Sequence, residues 1–343
     1  MYLVLEYNSV YGMHLLKSGI KSSKIATLAA LILAIAYAVP EFIESTHNAR
    51  SATYGISKGL FANSIPLPFR KPGDMPKIQQ PEQFDLASLD AALIGLDYRL
   101  KNVRNDDFVP RVFVKQMPVD ILDIPDVQER KNTFIKVVLP LILNTNEKIE
   151  ARRERLSSLL EAKDTGQPLA EKDSKWLAEL ATRYREDMSN PAVLIVKVDK
   201  VPVAMALAQS IEESGWGTSR FAREGNALFG QRVWATGKGI VPEERAESET
   251  HEVKAFKSIG ESIEAYVHNL NTHPAYAEFR DARARRHLEP EYILNGLGLI
   301  GALHAYSEKG QEYVDNLRSL IESNRLTDFE SATLAPERLA DSR

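Results

Sequence analysis

Apolar and small residues recur with a helical period over residues 202–214, and the pattern stops at two glycines around a tryptophan. At about 100° per residue, Val203, Ala206, Leu207, Ser210 and Ile211 form one stripe, and Pro202 suits the first helical position. Upstream, the pattern predicts a helix over 88–102, then an irregular stretch over 108–124, where Pro110, Pro118 and the nearby Pro125 oppose regular structure. Asp126 is placed to cap a long helix through Phe134, Val137, Val138, Leu141, Ile142 and Ile149 towards Leu160, with a kink at Pro140. Its apolar run 137–143 is too short for a bilayer, and 147–155 reads as a solvated helical face. A further helix is expected over 170–185, with Trp176, Leu177, Leu180 and Tyr184 inward.

After the glycine break, 226–234 reads as a strand, Gly237, Gly239 and Pro242 punctuate a charged loop, and 251–256 reads as a second strand. The two would make a small antiparallel hairpin. Ser258 and Glu261 form a capping box for a helix to Asn271, and two more helices are expected over 290–299 and 312–323. The expected fold class is therefore mainly α with a small antiparallel β-lobe.

The amino-terminal pattern differs in kind. Lys17, Lys21 and Lys24 precede an apolar run over 25–35, which Ala36-Tyr37-Ala38 closes with small outer residues. That is the order of a secretory signal, and the run could equally be kept as an inner-membrane anchor. Either outcome places the following residues in the periplasm or cell envelope. The expected division is 1–38 signal or anchor, 39–83 Pro-rich linker, 84–169 helical extension, 170–325 catalytic domain and 326–343 disordered tail.

Composition narrows the chemistry. The 343 residues carry a net charge of -4 with no segregated basic face, so no nucleic-acid partner is expected; Arg283, Arg285 and Arg286 make one local basic patch at most. There is no cysteine, which excludes disulfides and thiolate metal sites. His251, His268, His273, His287 and His304 lack metal-site spacing, so neither metal nor cofactor is expected. A monomer is expected.

Two adjacent carboxylates end the 202–214 helix. Glu212 points away from the apolar stripe and reads as solvent-facing. Glu213 lies on its flank beside the Gly-Trp-Gly break, where partial desolvation raises a carboxyl pKa towards general-acid duty. Trp216 reads either as packing under the turn or as a sugar platform, and Gln209 as a structural hydrogen-bonder or a substrate contact.

The strings Glu213-Ser214-Gly215-Trp216-Gly217, Asn226 to Gly230, and Asn269-Leu270-Asn271-Thr272-His273-Pro274-Ala275-Tyr276 together resemble the glucosaminidase-domain superfamily, glycoside hydrolase family 73. The segment from Gly239 to Pro242 and His251-Glu252-Val253 are similar to its Bax-type branch, and the likeness extends over most of 107–325. The resemblance implies a lysozyme-like fold with a β-lobe beside a cleft, and peptidoglycan glycan strands as substrate, cut on the reducing side of N-acetylglucosamine. It implies Glu213 as catalytic acid, with Asn226, Phe229 and Tyr276 at matching cleft positions. A second carboxylate is expected on the β-lobe, with Glu252 favoured over Glu243 and Glu244; a water-mediated inverting route and attack by the substrate's acetamido group both stay open. A lytic transglycosylase and a non-catalytic envelope scaffold are the alternatives.

Overall fold

The computed structural model describes residues 84–105, 108–187, 190–233, 239–241, 252–287 and 294–336. The export signal, the Pro-rich linker, and Glu243, Glu244 and His251 lie outside these residues. Among the described residues no helix is long and apolar enough to cross a membrane.

Helix α1 (Leu86–Leu93) is capped by Asp85, whose side chain accepts from the Ser88 N–H at 2.8 Å. The single helix expected over 88–102 is two, because Gly95 and Asp97 turn the chain with positive φ before α2 (Leu100–Val103). The stretch 108–124 is irregular as expected, apart from a 3-10 turn at Ile121–Asp123. Helix α3 (Val127–Asp164) starts at Asp126, which accepts from the Glu129 N–H at 2.7 Å. It runs through Pro140: the missing N–H removes one ladder bond, and burial of Phe134 and of every residue from 137 to 143 holds the helix on both sides.

Helices α4 (Glu171–Arg183) and α5 (Pro191–Lys197) lead into α6 (Val203–Ser214). The expected one-sided stripe on α6 proves too narrow: every residue from 203 to 211 is buried, Gln209 and Ser210 included. The reason is that α6 is enclosed, packed by α3, by α10 (Gly296–Leu299), by α11 (Gln311–Ser323) and by the 3-10 turn Leu326–Phe329. Alanines at 204, 206 and 208 let these neighbours approach.

After α7 (Arg220–Gly225) comes a three-stranded antiparallel sheet of β1 (Arg232–Val233), β2 (Gly239–Ile240) and β3 (Glu252–Lys254), in the order β1-β3-β2. Val233 faces Glu252 and Ile240 faces Val253 in the register. The strand expected over 226–234 is mostly a turn, since Asn226 (φ 52°) ends α7 in the left-handed region and Gly230 (φ 57°) turns again. Helix α8 (Ile259–Thr272) begins at Ser258, whose hydroxyl accepts from the Glu261 N–H, and α9 (Ala277–Arg286) follows the 3-10 turn Pro274–Tyr276. The helix expected over 290–299 is confined, among the described residues, to α10, followed by a 3-10 turn at Ile300–Leu303. The two-layer outcome, helices around α6 with a small β-lobe, is the mainly α class read from the pattern.

The disordered tail expected from 326 is corrected as far as residue 336. Leu326, Phe329 and Leu334 are buried, and Val109 and residues 333–335 exchange backbone bonds of 2.9 Å, so this segment closes the core. It also supplies the cap that Pro202 cannot: Glu330 accepts from the Val203 N–H at 2.8 Å and from Gly296 at 2.6 Å. Gly296 sits so close that a Cβ there would lie 2.8 Å from the Met205 backbone nitrogen. Gly296→Ala should therefore push the start of α6 away and lose about 1–3 kcal/mol of stability, read as a lower urea midpoint.

Candidate active site

Glu213 occupies the last turn of α6, and the tight turn beyond it fixes its direction. Gly215, Trp216 and Gly217 all adopt positive φ (58°, 61° and 75°), so the chain reverses at once. The Ser214 hydroxyl accepts from the Gly217 N–H at 2.9 Å and locks the turn. Across from it, the turn at Gly230 comes so near that a Cβ would stand 3.0 Å from Glu213 Oε2. A side chain there would crowd the carboxylate and strain a backbone held at φ 57°, so glycine suits the position.

Burial raises the Glu213 carboxyl to about 7, against a hydrogen bond from Tyr313 that favours the anion; the Glu212 charge adds to the rise, and Lys309 and Arg232 oppose it. Glu212 itself is only partly exposed. Four phenols face this carboxyl: Tyr266, Tyr276, Tyr306 and Tyr313 all feel its charge, and burial raises each of them above the usual 10. They remain neutral hydrogen-bonding groups at any working pH.

The direction of the hydrogen bonds is fixed by a relay. Tyr266 Oη donates to Gln209 Oε1 at 2.6 Å, and Gln209 Nε2 donates to Tyr313 Oη at 3.0 Å. The Tyr313 phenol already accepts from Gln209, so its own proton is available to Glu213. Phe229 stacks on Tyr266 with centroids 3.9 Å apart, Tyr306 stacks on Tyr313 at 5.6 Å, and the Tyr306 hydroxyl donates to the Phe229 carbonyl at 3.3 Å. These contacts hold the relay as one aromatic block.

The structure treats the sequence candidates unequally. Gln209 is fully buried and both ends of its amide are engaged, by the Tyr266 and Tyr313 hydroxyls. Phe229 (2% exposed) and Asn226 (5%) are likewise walls: Asn226 ends α7 and donates to the Phe256 carbonyl at 3.1 Å. Tyr276 belongs to the phenol cluster, hydrogen-bonded to Asn269. Trp216 faces elsewhere, edge-on to Phe134 with the Lys131 ammonium 4.8 Å from its ring. Glu252 is buried in β3 and accepts from the Gly239 N–H at 2.9 Å, tying β2 to β3.

Sequence reasoning passed over Tyr266, Tyr306 and Tyr313. For Tyr266 and Tyr313 the available signal was tyrosine on the inward face of a helix, where a buried hydroxyl requires a partner; Tyr306 lies in the turn before α11 and carried no such signal. The basic patch at α9 is corrected in part, because Arg283 is fully buried; its guanidinium lies 3.3 Å from Asp199 and donates to the carbonyls of Val196 and Lys200. His287 Nε2 is 2.7 Å from the same Asp199 carboxylate.

The raised carboxyls predict a pH signature. Glu213 and Glu330 both stand at about 7 when folded, against an ordinary 4.5. Between these values the unfolded chain has released protons that the folded chain keeps, so their contribution is complete below 4.5 and is lost as pH rises through 7. The melting temperature should fall from about pH 5 to about pH 8, and Glu213→Gln should flatten that slope in calorimetry.

A helical body with a small β-lobe, carrying a glutamic acid of raised pKa among phenols at the end of its central helix, is an arrangement suited to general-acid cleavage of a glycosidic bond. Comparison with known proteins makes the assignment specific. The glucosaminidase family, described as mannosyl-glycoprotein endo-beta-N-acetylglucosaminidase, matches residues 190–326. The chain is 33% identical over 212 residues to Protein bax of Escherichia coli, an alignment covering 60% of this chain and 74% of that protein. It is 31% identical over 158 residues to Peptidoglycan hydrolase FlgJ of Salmonella typhimurium, covering 39% of this chain and 50% of that protein. No solved structure matches it at a significant level. The chain belongs to the Bax-type branch of the glucosaminidase superfamily.

Proposed function

We propose that this protein is a peptidoglycan hydrolase, an endo-β-N-acetylglucosaminidase that cuts the β-1,4 bond on the reducing side of N-acetylglucosamine, with Glu213 as general acid. The observation that carries this reading is a carboxyl whose pKa is raised to about 7, set among phenols inside a glucosaminidase-family region. Protonated Glu213 gives its proton to the leaving glycosidic oxygen as the anomeric C–O bond breaks. The resulting carboxylate keeps the hydrogen bond from Tyr313 and the nearby charges of Lys309 and Arg232. Water then adds to the anomeric carbon and its proton restores the acid, so one water is consumed per bond.

Glu252 is less suited to a nucleophile's role than its position in sequence suggests, because its carboxylate is buried and engaged with the Gly239 amide. Glu243 and Glu244 lying outside the described residues, we favour attack by the substrate's own acetamido oxygen, a recognised exception to the two-carboxylate scheme, with Tyr276 as the group that would orient it. The likeness to the Salmonella peptidoglycan hydrolase supports peptidoglycan as the substrate class. The Lys-apolar-AYA pattern supports delivery to the periplasm or envelope, with the signal removed or kept as an inner-membrane anchor.

Among the described residues the β-lobe carboxylate of Glu252 is engaged by the Gly239 amide; a single acid also fits a lytic transglycosylase, and the products separate the two. Purified wall digested by the protein, reduced with borohydride and analysed by mass spectrometry should yield N-acetylglucosaminitol ends. New 1,6-anhydro ends, or reduced muramic acid, would contradict the assignment.

A further inference from the structure

On the far side of the Gly-Trp-Gly turn lies a basic groove that the chemistry at Glu213 does not use. Two adjoining cavities, of about 210 and 380 Å³, share Arg104 and Gln128 as walls. The larger falls within the roughly 300–1,000 Å³ of small-ligand sites. Six cations line the pair: Arg99, Lys101, Arg104, Lys131, Lys136 and Arg325. Asp328 binds both Arg104 (3.1 Å) and Arg325 (2.7 Å), and Asp97 binds Arg99 at 2.6 Å. Among the described residues no carboxylate pairs with Lys101, Lys131 or Lys136; Lys131 instead reaches the Asn324 amide oxygen at 3.1 Å and the Trp216 ring. Between these charges lie the amides of Gln128, Asn132 and Asn324, with Leu100, Ile135 and Trp216 as the apolar and aromatic members.

We infer that this groove is an exosite for the carboxylates of the peptide branches carried by the glycan strand, an inference resting on the peptidoglycan reading above. Ammonium groups without a carboxylate partner suit free carboxylates, and the side-chain amides suit the peptide bonds between them. Amides set between the charges fit the peptide bonds of an extended branch better than a plane of lipid headgroups. Trp216 connects the groove to the acid, being three residues beyond Glu213 on the same locked turn. A strand engaged at Glu213 would thus be held twice, by its sugars and by a branch.

Binding of purified glycan strands, with their peptides or stripped of them by an amidase, tests this in the Glu213→Gln protein, where no cleavage intervenes. Peptide-bearing strands should bind more tightly than stripped ones. Adding Lys101→Gln and Lys136→Gln should weaken the peptide-bearing strands about three- to tenfold, as expected for one exposed and one half-buried charge, and leave stripped strands unchanged. Equal binding of both kinds of strand, an equal loss on both, or no loss on either would overturn the exosite while leaving the substrate reading intact. Failure to bind either kind would overturn both. Loss seen only with anionic phospholipid vesicles would transfer the groove to a membrane surface.

Discussion

Replacing Glu213 by Gln is expected to lower kcat on peptidoglycan by at least about a hundredfold and up to about ten thousandfold, the range a positioned general acid contributes. The variant keeps the shape of the side chain and can still accept from Tyr313, so the fold should survive. Glu213 is held by burial near neutrality and not by an ion pair, and the amide removes a group whose ionisation opposes folding. Stability above pH 7 should therefore hold or rise in Glu213→Gln as activity disappears, and opposite movement of the two would separate a catalytic from a structural role. Unchanged turnover would remove Glu213 as the acid, and binding without turnover in either protein would return it to the class of non-catalytic envelope scaffolds.

The largest loss of stability should come from Arg283→Met. Arg283 is fully buried on α9 and joins the backbone carbonyls of Val196 in α5 and of Asp199 and Lys200 just beyond it to the carboxylate of Asp199, itself 1% exposed. Burial alone would push Asp199 upward; the charge of Arg283, with His287 and Arg153, instead holds it down to about 2. Its stabilisation is thus present above the ordinary 3.8 and lost as pH falls towards 2. Methionine fills the volume but leaves a buried carboxylate short of its main partner, a change worth about 3–5 kcal/mol. A thermal melt should show a fall of about 10 °C. Adding Asp199→Asn should restore part of it, because the uncompensated charge is then gone. A fall of only a degree or two would mean that the network is solvent-screened.

Both predictions rest on features that the sequence exposes to different degrees. The caps at Asp126 and Ser258, the irregular proline-rich stretch and the glycine break after α6 are local signals, and local chemistry decides them. Glu213 was legible for the same reason: helix period and the adjoining turn set its facing. The features that escaped depend on distant partners. Arg283 sits among other arginines in sequence, and only α5 and the 199–200 backbone make it a core residue. Residues 326–336 are polar enough to suggest disorder, yet Glu330 is fixed by the orphan amides at the start of α6. The tyrosine relay joins α6, α8 and α11, elements far apart in the chain, and no spacing rule links Gln209 to Tyr266 and Tyr313. The misread strand at 226–234 is the reverse case: its apolar residues fit a strand, but left-handed turns at Asn226 and Gly230 bend it into the wall of the site.

The proposed mechanism requires Glu213 to be protonated when it acts. Carbon-13 NMR of the labelled carboxyl, assigned by its absence in Glu213→Gln, should show titration near 7, matched by the alkaline limb of kcat/KM on glycan strands. Titration near the ordinary 4.5, or an alkaline limb that does not follow it, would contradict the assignment of Glu213 as the acid.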